Sequence, residues 1–246
     1  LLSRDNDQAM PDLSSVRFMT SSSAPLPVTD WTHFEERYGV PIVQGYGSSE
    51  AGWIGATCLA NQRLGSVGRP LAYHCLGIVN EDGTALPAGE IGHIELGEEP
   101  DREYGYLRSD GSIEVTHVGR FRTGDIGYLD EDGFLFITGR SKDVIIRGGV
   151  NISPLEVDNV INQLPGVLEV ASVGVPDEIY GEEIVAFVTI ANGSSIGERE
   201  ILLHCKKYLA EVKSPKTIYI VQTLPRNERG KLDRKALQQL WLEMDQ

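Results

Sequence analysis

Four short polar segments carry the side chains that could do chemistry. Tyr46-Gly47-Ser48-Ser49-Glu50 combines an aromatic ring, a tight glycine turn, two hydroxyls and a carboxylate. A flat ring can stack on a flat base, hydroxyls can bind phosphate, and a hard carboxylate oxygen can hold Mg²⁺. The same string also reads as an ordinary β-turn with a surface glutamate. Arg122-Thr123-Gly124-Asp125 puts a carboxylate on a glycine-freed turn, able to accept both hydroxyls of a ribose or to close an Asx-type turn. Gly139-Arg140-Ser141-Lys142-Asp143 and Arg147-Gly148-Gly149-Val150-Asn151 cluster charge and glycine. They read as ligand-facing loops, or as a solvated linker followed by a hairpin. Near the end, Leu224 to Arg234 is polar and holds Lys231. A lysine there can neutralise charge developing on a reacting phosphate or carboxylate, or belong to a basic surface loop.

These side chains need a scaffold. Val16–Thr20 reads as a short strand running into Ser21-Ser22-Ser23-Ala24-Pro25, Val28–Tyr38 as a helix stopped by Gly39, and Pro41–Val43 as the start of a buried strand. Asp82-Gly83, Asp110-Gly111 and Asp132-Gly133 lie between β-rich runs. Asp-Gly supplies the positive φ of tight turns, so three hairpins are predicted. Past Arg140–Asp143 the rhythm changes. Strand Val144–Arg147, a helix from Pro154, strands Leu168–Val175 and Ile184–Ile190, a helix near Glu198–Leu209 and strand Thr217–Gln222 follow. Ser153-Pro154-Leu155-Glu156 predicts a capping box with proline at the first helical position, and Val157, Val160, Ile161 and Leu164 form one apolar face. The expected fold class is α/β and α+β, with a β-rich part over residues 1–140 and a small α+β module over residues 141–246.

Composition excludes several classes. The net charge of −14 opposes nucleic-acid binding, which rests on lysine and arginine neutralising phosphates. It leaves room for a small anionic ligand held by local donors. No apolar run reaches about 18 residues, so no membrane span is expected. Leu1-Leu2-Ser3-Arg4-Asp5 shows no signal-peptide pattern. Cys58, Cys75 and Cys205 are widely spaced with no paired motif, so a disulfide framework or zinc site is not expected. All three read as small buried hydrophobes in a reducing, cytoplasmic compartment.

Taken in order, Tyr-Gly-x-(Ser/Thr)-Glu, Thr-Gly-Asp, Gly-Arg-x-(Lys/Asp)-Asp and Gly-Lys-x-x-Arg make the chain similar to the adenylate-forming superfamily: acyl-CoA synthetases, luciferases and peptide-synthetase adenylation domains. The resemblance runs from about Ser21 to about Leu237. It implies the β-rich C-terminal part of the large AMP-binding domain followed by a small mobile lid. Ser23, Ala24 and Pro25 would line adenine, and Gln44, Gly45, Tyr46, Gly47, Ser48 and Ser49 would wrap adenine and α-phosphate. Tyr46 would stack on the base, Glu50 would bind Mg²⁺, and Asp125 would hold the ribose with help from Arg140. Lys142 matches the hinge. Lys231 matches the catalytic lysine, which bridges the acyl carboxylate and α-phosphate, and Gly148, Gly149 and Asn151 match the loop that meets pantetheine.

The implied reaction is ATP-dependent activation of a carboxylic acid through an acyl-adenylate, then transfer to CoA. Gly148-Gly149-Val150-Asn151-Ile152-Ser153-Pro154 resembles the CoA-forming wording Gly-Gly-Glu-Asn-Ile-x-Pro, with Val150 in place of glutamate. Transfer to a carrier-protein phosphopantetheine and a silent nucleotide-binding module are the alternatives. Two departures stand out. The phosphate loop ending in Pro-Lys-Gly and the N-terminal region that builds the acyl pocket are missing, so this chain alone is expected to be inactive in adenylation. The stretch Glu95 to Asp101 also lacks the family's glycine-aromatic wording.

Overall fold

The computed structural model describes residues 11–97, 103–117 and 120–244. The chain divides into two compact units: a first of residues 12–26 and 34–141, and a second built on residues 142–244, with which residues 27–33 are grouped.

From β1 (Met19–Ser21) of the first unit the chain enters helix α1 (Val28–Tyr38), whose residues 34–38 belong to that unit, and returns as β2 (Ile42–Ser48), parallel to β1. The helix ends at Gly39, as its sequence predicts. Glu35 accepts the Ile42 N–H at 2.7 Å, tying the helix to the strand it feeds. The strand expected at Val16–Thr20 is shorter, starting three residues later and ending one residue later. β3 (Gly52–Ala56) and β4 (Arg69–Pro70) complete this sheet in the order β1-β2-β3-β4.

A second sheet contains β5 (Leu76–Val79) and β6 (Gly92–Leu96). The ribbon β7 (Glu103–Leu107) and β8 (Ile113–His117) stands as a two-stranded sheet of its own, and β9 (Phe121–Leu129) and β10 (Leu135–Arg140) then complete the second sheet in the order β10-β9-β6-β5. Val67, Ile78, Ile94 and Leu135 form one apolar cluster, and Ala51, Ile54 and Leu96 another. Tyr46 packs against both.

The three Asp-Gly pairs all make one kind of loop. Residues Asn80, Arg108 and Asp130 each accept a hydrogen bond from the glycine three positions on, and each N–H reaches the carbonyl four positions on. Only the glycine has positive φ, +83°, +83° and +77° at Gly83, Gly111 and Gly133. This is the three-residue hairpin loop with a left-handed glycine last. Two of the loops join neighbouring strands, β7–β8 and β9–β10. The third turns β5 onto an isolated bridge, Val79↔Ala85, before the chain reaches β6.

The second unit opens with a short 3-10 turn, Ser141–Asp143, whose last two residues belong to it. A hairpin follows, β11 (Ile145–Arg147) and β12 (Val150–Ile152). Its two turn residues are Gly148 and Gly149, with φ +57° and +82°, the paired positive values that a two-residue hairpin turn demands. Helix α2 (Pro154–Ile161), the long hairpin β13 (Val167–Asp177) and β14 (Gly181–Ile190), helix α3 (Glu198–Tyr208), strand β15 (Thr217–Ile220) and helix α4 (Arg234–Met244) follow. Ile145, Ile152, Val170, Ile184, Ala186 and Val188 form one apolar layer with α2 and α3. Ala171, Val173, Val175, Val185 and Phe187 form another with Leu237, Leu240 and Trp241 of α4. Both layers sit on the same β13–β14 hairpin, so the unit has a core of its own.

Three expectations are corrected here. The capping box at Ser153 does not form: the serine makes no side-chain capping bond, and the Glu156 carboxylate instead binds Lys213 Nζ at 2.7 and 2.9 Å. Only Cys205 is buried; Cys58 and Cys75 are exposed, because they sit in loops beside β3 and β5. Burial pushes the Cys205 thiol up to about 11. Finally, Leu224 to Arg234 is not a plain loop, since the chain around Lys231 is a hairpin and α4 starts at Arg234.

Among the described residues no helix is long and apolar enough to cross a membrane. Leu1 to Met10, and the part of the Glu95 to Asp101 stretch beyond Gly97, lie outside the described residues.

Candidate nucleotide site

Parallel pairing of β1 with β2, Ser21 opposite Gln44, brings two predicted segments to one edge. The exposed loop Ser23-Ala24-Pro25 leaves β1 where β2 continues into Gly45-Tyr46. Ligands of open α/β sheets collect beyond the carboxyl ends of such strands. Gln44 is buried, its backbone exchanging hydrogen bonds with Thr57.

The strand is kept bare by sterics. A Cβ on Gly47 would lie 2.1 Å from the Gly52 carbonyl oxygen, a backbone atom that cannot step aside. At Gly45 a Cβ would meet the Trp53 ring at 2.3 Å. Ser48 Oγ accepts the Ala51 N–H at 3.2 Å and closes the turn, with Ser49 exposed at its tip. Glu50 accepts from the Tyr106 hydroxyl at 3.2 Å. A hydrogen bond from its own backbone N–H holds its carboxyl below the usual range, so it is ionised at neutral pH.

Tyr46 reaches the segment 79 residues downstream: its hydroxyl donates to Asp125 Oδ2 at 2.6 Å. Burial, and then the Asp125 charge, push the phenol well above its ordinary range, so it stays protonated and donates. Asp125 faces Arg140 across the β9–β10 pairing, and Arg140 Nε donates to Oδ1 at 3.2 Å. The Asp125 N–H donates to Thr123 Oγ1 at 3.1 Å, and Ser141 Oγ to the Gly124 carbonyl at 3.1 Å. Three residues far apart in sequence therefore form one bonded group in the first unit.

The other predicted residues lie in the second unit. Lys142 is exposed and is its first residue after the division. Gly148 N–H donates to the Tyr180 carbonyl at 2.8 Å, which sets the β11–β12 turn beside the β13–β14 turn; Asn151 is exposed on β12. Lys231 ends a loop built like the other three: Asn227 N–H donates to the Lys231 carbonyl, and Gly230 N–H to the Asn227 carbonyl, both at 2.8 Å. Asn227 Oδ1 also accepts the Arg229 and Lys231 N–H groups, each at 3.0 Å. Arg226 anchors the loop to Glu169 at the start of β13. The glycine turn, by contrast, lies beside Asp177–Gly181 at the far end of that strand. Glu169 to Asp177 spans roughly 26 Å at about 3.3 Å per residue. The two candidate segments are thus held at opposite ends of one strand.

Sequence reasoning missed Tyr106, Asn227 and the Asp158–Arg234 pair. The first and last are contacts between residues 56 and 76 positions apart, which no local spacing encodes. Arg147 is turned inward: it binds Glu183 at 2.9 Å and the carbonyls of Glu211, Val212 and Ser214.

Residues 1–99 match the AMP-binding enzyme family, and residues 156–231 match the AMP-binding enzyme C-terminal domain. The chain belongs to the AMP-binding enzyme family. The chain is 38% identical over 231 residues to a sulfoacetate–CoA ligase of Cupriavidus necator, covering 91% of this chain and 45% of that protein. It is 36% identical to an oxalate–CoA ligase of Arabidopsis thaliana, covering 99% and 48%. Among solved structures, ATP-bound MatB from Rhodopseudomonas palustris superposes with TM-score 0.82 at 32% identity, covering 94% of this chain and 46% of that one. The amide bond synthetase McbA from Marinactinospora thermotolerans gives 0.84 at 32% identity, with 94% and 47% covered. The chain spans about half the length of the curated relatives it matches.

Proposed function

We propose that this chain is the C-terminal portion of an AMP-forming acid–thiol ligase, which activates a carboxylic acid with ATP and transfers the acyl group to CoA. The observation that carries the reading is the bonded group Tyr46–Asp125–Arg140 at the carboxyl edge of β2. It offers a ring face for adenine beside a carboxylate for the ribose hydroxyls. Ser23, Ala24 and Pro25 border the base, and Gln44, Gly45, Gly47, Ser48 and Ser49 supply a bare strand and turn for adenine and α-phosphate.

In the first step the substrate carboxylate oxygen bonds to the α-phosphorus of ATP as the bond to pyrophosphate breaks, giving an acyl-adenylate. In the second the thiol sulfur bonds to the acyl carbon, the bond to AMP oxygen breaks, and the thiol proton leaves to solvent. No side-chain nucleophile is needed; alignment and charge neutralisation carry the rate. Lys231 serves the first step, and Gly148, Gly149 and Asn151 receive pantetheine in the second. Their separation along β13 supports using the unit's two ends in turn, with Lys142 as the hinge.

Mg²⁺ would neutralise phosphate charge when bound. Glu50 fits as its protein ligand, being ionised and partly exposed, with the Tyr106 hydroxyl on Oε1. Among the described residues no group of three or more His, Cys, Asp or Glu could hold a metal. A cation relying on one carboxylate, phosphate oxygens and water is the usual habit of Mg²⁺. The free cysteines suit a reducing cytoplasm.

Asp125→Ala in the complete protein weakens AMP binding by roughly tenfold to a hundredfold, the cost of losing hydrogen bonds to a charged acceptor. Calorimetric titration with AMP reads this directly. Unchanged affinity contradicts the ribose assignment. Offering CoA and a phosphopantetheinylated carrier protein in parallel separates the two thiol acceptors.

A further inference from the structure

Stacking on a base uses the face of the Tyr46 ring and gives the hydroxyl no part. Yet that hydroxyl donates to Asp125 Oδ2 at 2.6 Å, within the short range of charge-assisted bonds. The ring behind it is packed against both apolar clusters of the unit, so the hydroxyl is delivered from a rigid post. Asp125 needs such a post. The terminal torsion of an aspartate is broad and roughly two-fold, Thr123 accepts the Asp125 backbone N–H, and Arg140, which reaches the carboxylate, is itself an exposed side chain.

The acceptor count is specific. A carboxylate has about four acceptor positions, two per oxygen. Tyr46 takes one on Oδ2 and Arg140 Nε takes one on Oδ1. Among the described residues one position remains on each oxygen, and the Asp125 side chain keeps 14% of its surface exposed. One free position per oxygen is what two adjacent hydroxyls require.

We propose that Tyr46 is the positioning residue for Asp125: its hydroxyl holds the carboxylate so that one open acceptor position on each oxygen meets the 2′- and 3′-hydroxyls of the nucleotide. One side chain then supports two subsites, its ring the base and its hydroxyl the sugar, and adenosine is read as a unit. The inference rests on the nucleotide reading above.

The test compares AMP with 2′,3′-dideoxy-AMP by calorimetry on the complete protein. Wild type prefers AMP by about tenfold or more, since the analogue leaves Asp125 without its sugar donors. Tyr46→Phe keeps the ring, holds dideoxy-AMP affinity within about threefold, and cuts the preference for AMP by roughly tenfold, the worth of the bonds it misaligns. Tyr46→Ala also loses the ring and weakens both ligands. On an Asp125→Ala background, Tyr46→Phe changes neither affinity further. The proposal is overturned if Tyr46→Phe weakens both ligands by the same factor, if it leaves the preference intact, or if its effect persists without Asp125. Wild type that binds AMP without preferring it overturns the proposal and the ribose assignment together. Wild type that binds neither ligand defeats the nucleotide reading itself.

Discussion

Lys231→Ala in the complete enzyme lowers acyl-adenylate formation by about a hundredfold to a thousandfold, the effect of removing one preorganised charge stabiliser. Conversion of a supplied acyl-adenylate to thioester stays nearly unchanged. The asymmetry follows from where the lysine is held. Its backbone N–H and carbonyl are both bonded to Asn227, and two further bonds from Arg229 and Gly230 to Asn227 close the loop, while the pantetheine candidates Gly148, Gly149 and Asn151 lie toward the other end of β13. A side chain on a fixed turn can be aimed at one reacting centre, and the same turn keeps it out of the other half-reaction. Single-turnover assays of the two halves check this. Equal loss in both contradicts the assigned role.

The second large effect is on stability. Arg234 Nη2 bonds Asp158 Oδ2 at 2.7 Å, its other amino group bonds the Ser172 carbonyl, and Asp158 Oδ1 accepts the Ser172 N–H at 2.7 Å. The two side chains are only 20% and 5% exposed. Arg234→Met therefore strands a buried carboxyl and destabilises the second unit by about 3–5 kcal/mol. Burial already pushes the Asp158 carboxyl up, with the Arg234 guanidinium opposing it. Without the arginine the folded-state value lies further above the unfolded value, near 3.9. A carboxyl raised on folding favours the native state below its unfolded value, and that contribution is lost as pH rises through the folded one. The deficit is therefore largest at neutral pH and shrinks on acidification. Denaturant melts across pH check the sign. A deficit independent of pH points to lost packing instead of a stranded charge.

What the sequence disclosed follows a physical divide. Local, periodic signals were readable: α1 runs from Val28 to Tyr38 with Gly39 as its stop, the Asp-Gly pairs make turns, and the apolar face of Val157, Val160, Ile161 and Leu164 packs as expected. Signals depending on one distant partner were not. Ser153 and Glu156 have the spacing of a capping box, but Lys213, 57 residues away, supplies a stronger partner for the carboxylate. The Lys231 loop repeats the geometry of the Asp-Gly loops, yet Arg229-Gly230 lacks the Asp-Gly spelling and hid it. Its aspartate-like function sits two residues earlier, in Asn227. Helix α4 escaped because its buried stripe is only Leu237, Leu240 and Trp241 within a polar run. At the site, the residue types were legible in Tyr46, Asp125 and Arg140. Their union was not, because it is made by pairing β9 with β10 and by the reach of a ring across 79 residues.

The most direct test supplies the complete protein with ATP and a panel of carboxylic acids, first without CoA and then with it. For accepted acids, pyrophosphate appears with an equal amount of acyl-adenylate; added CoA converts that adenylate to AMP and acyl-CoA. ADP and inorganic phosphate as the acid-dependent products, with no acyl-adenylate by mass spectrometry, contradict the account.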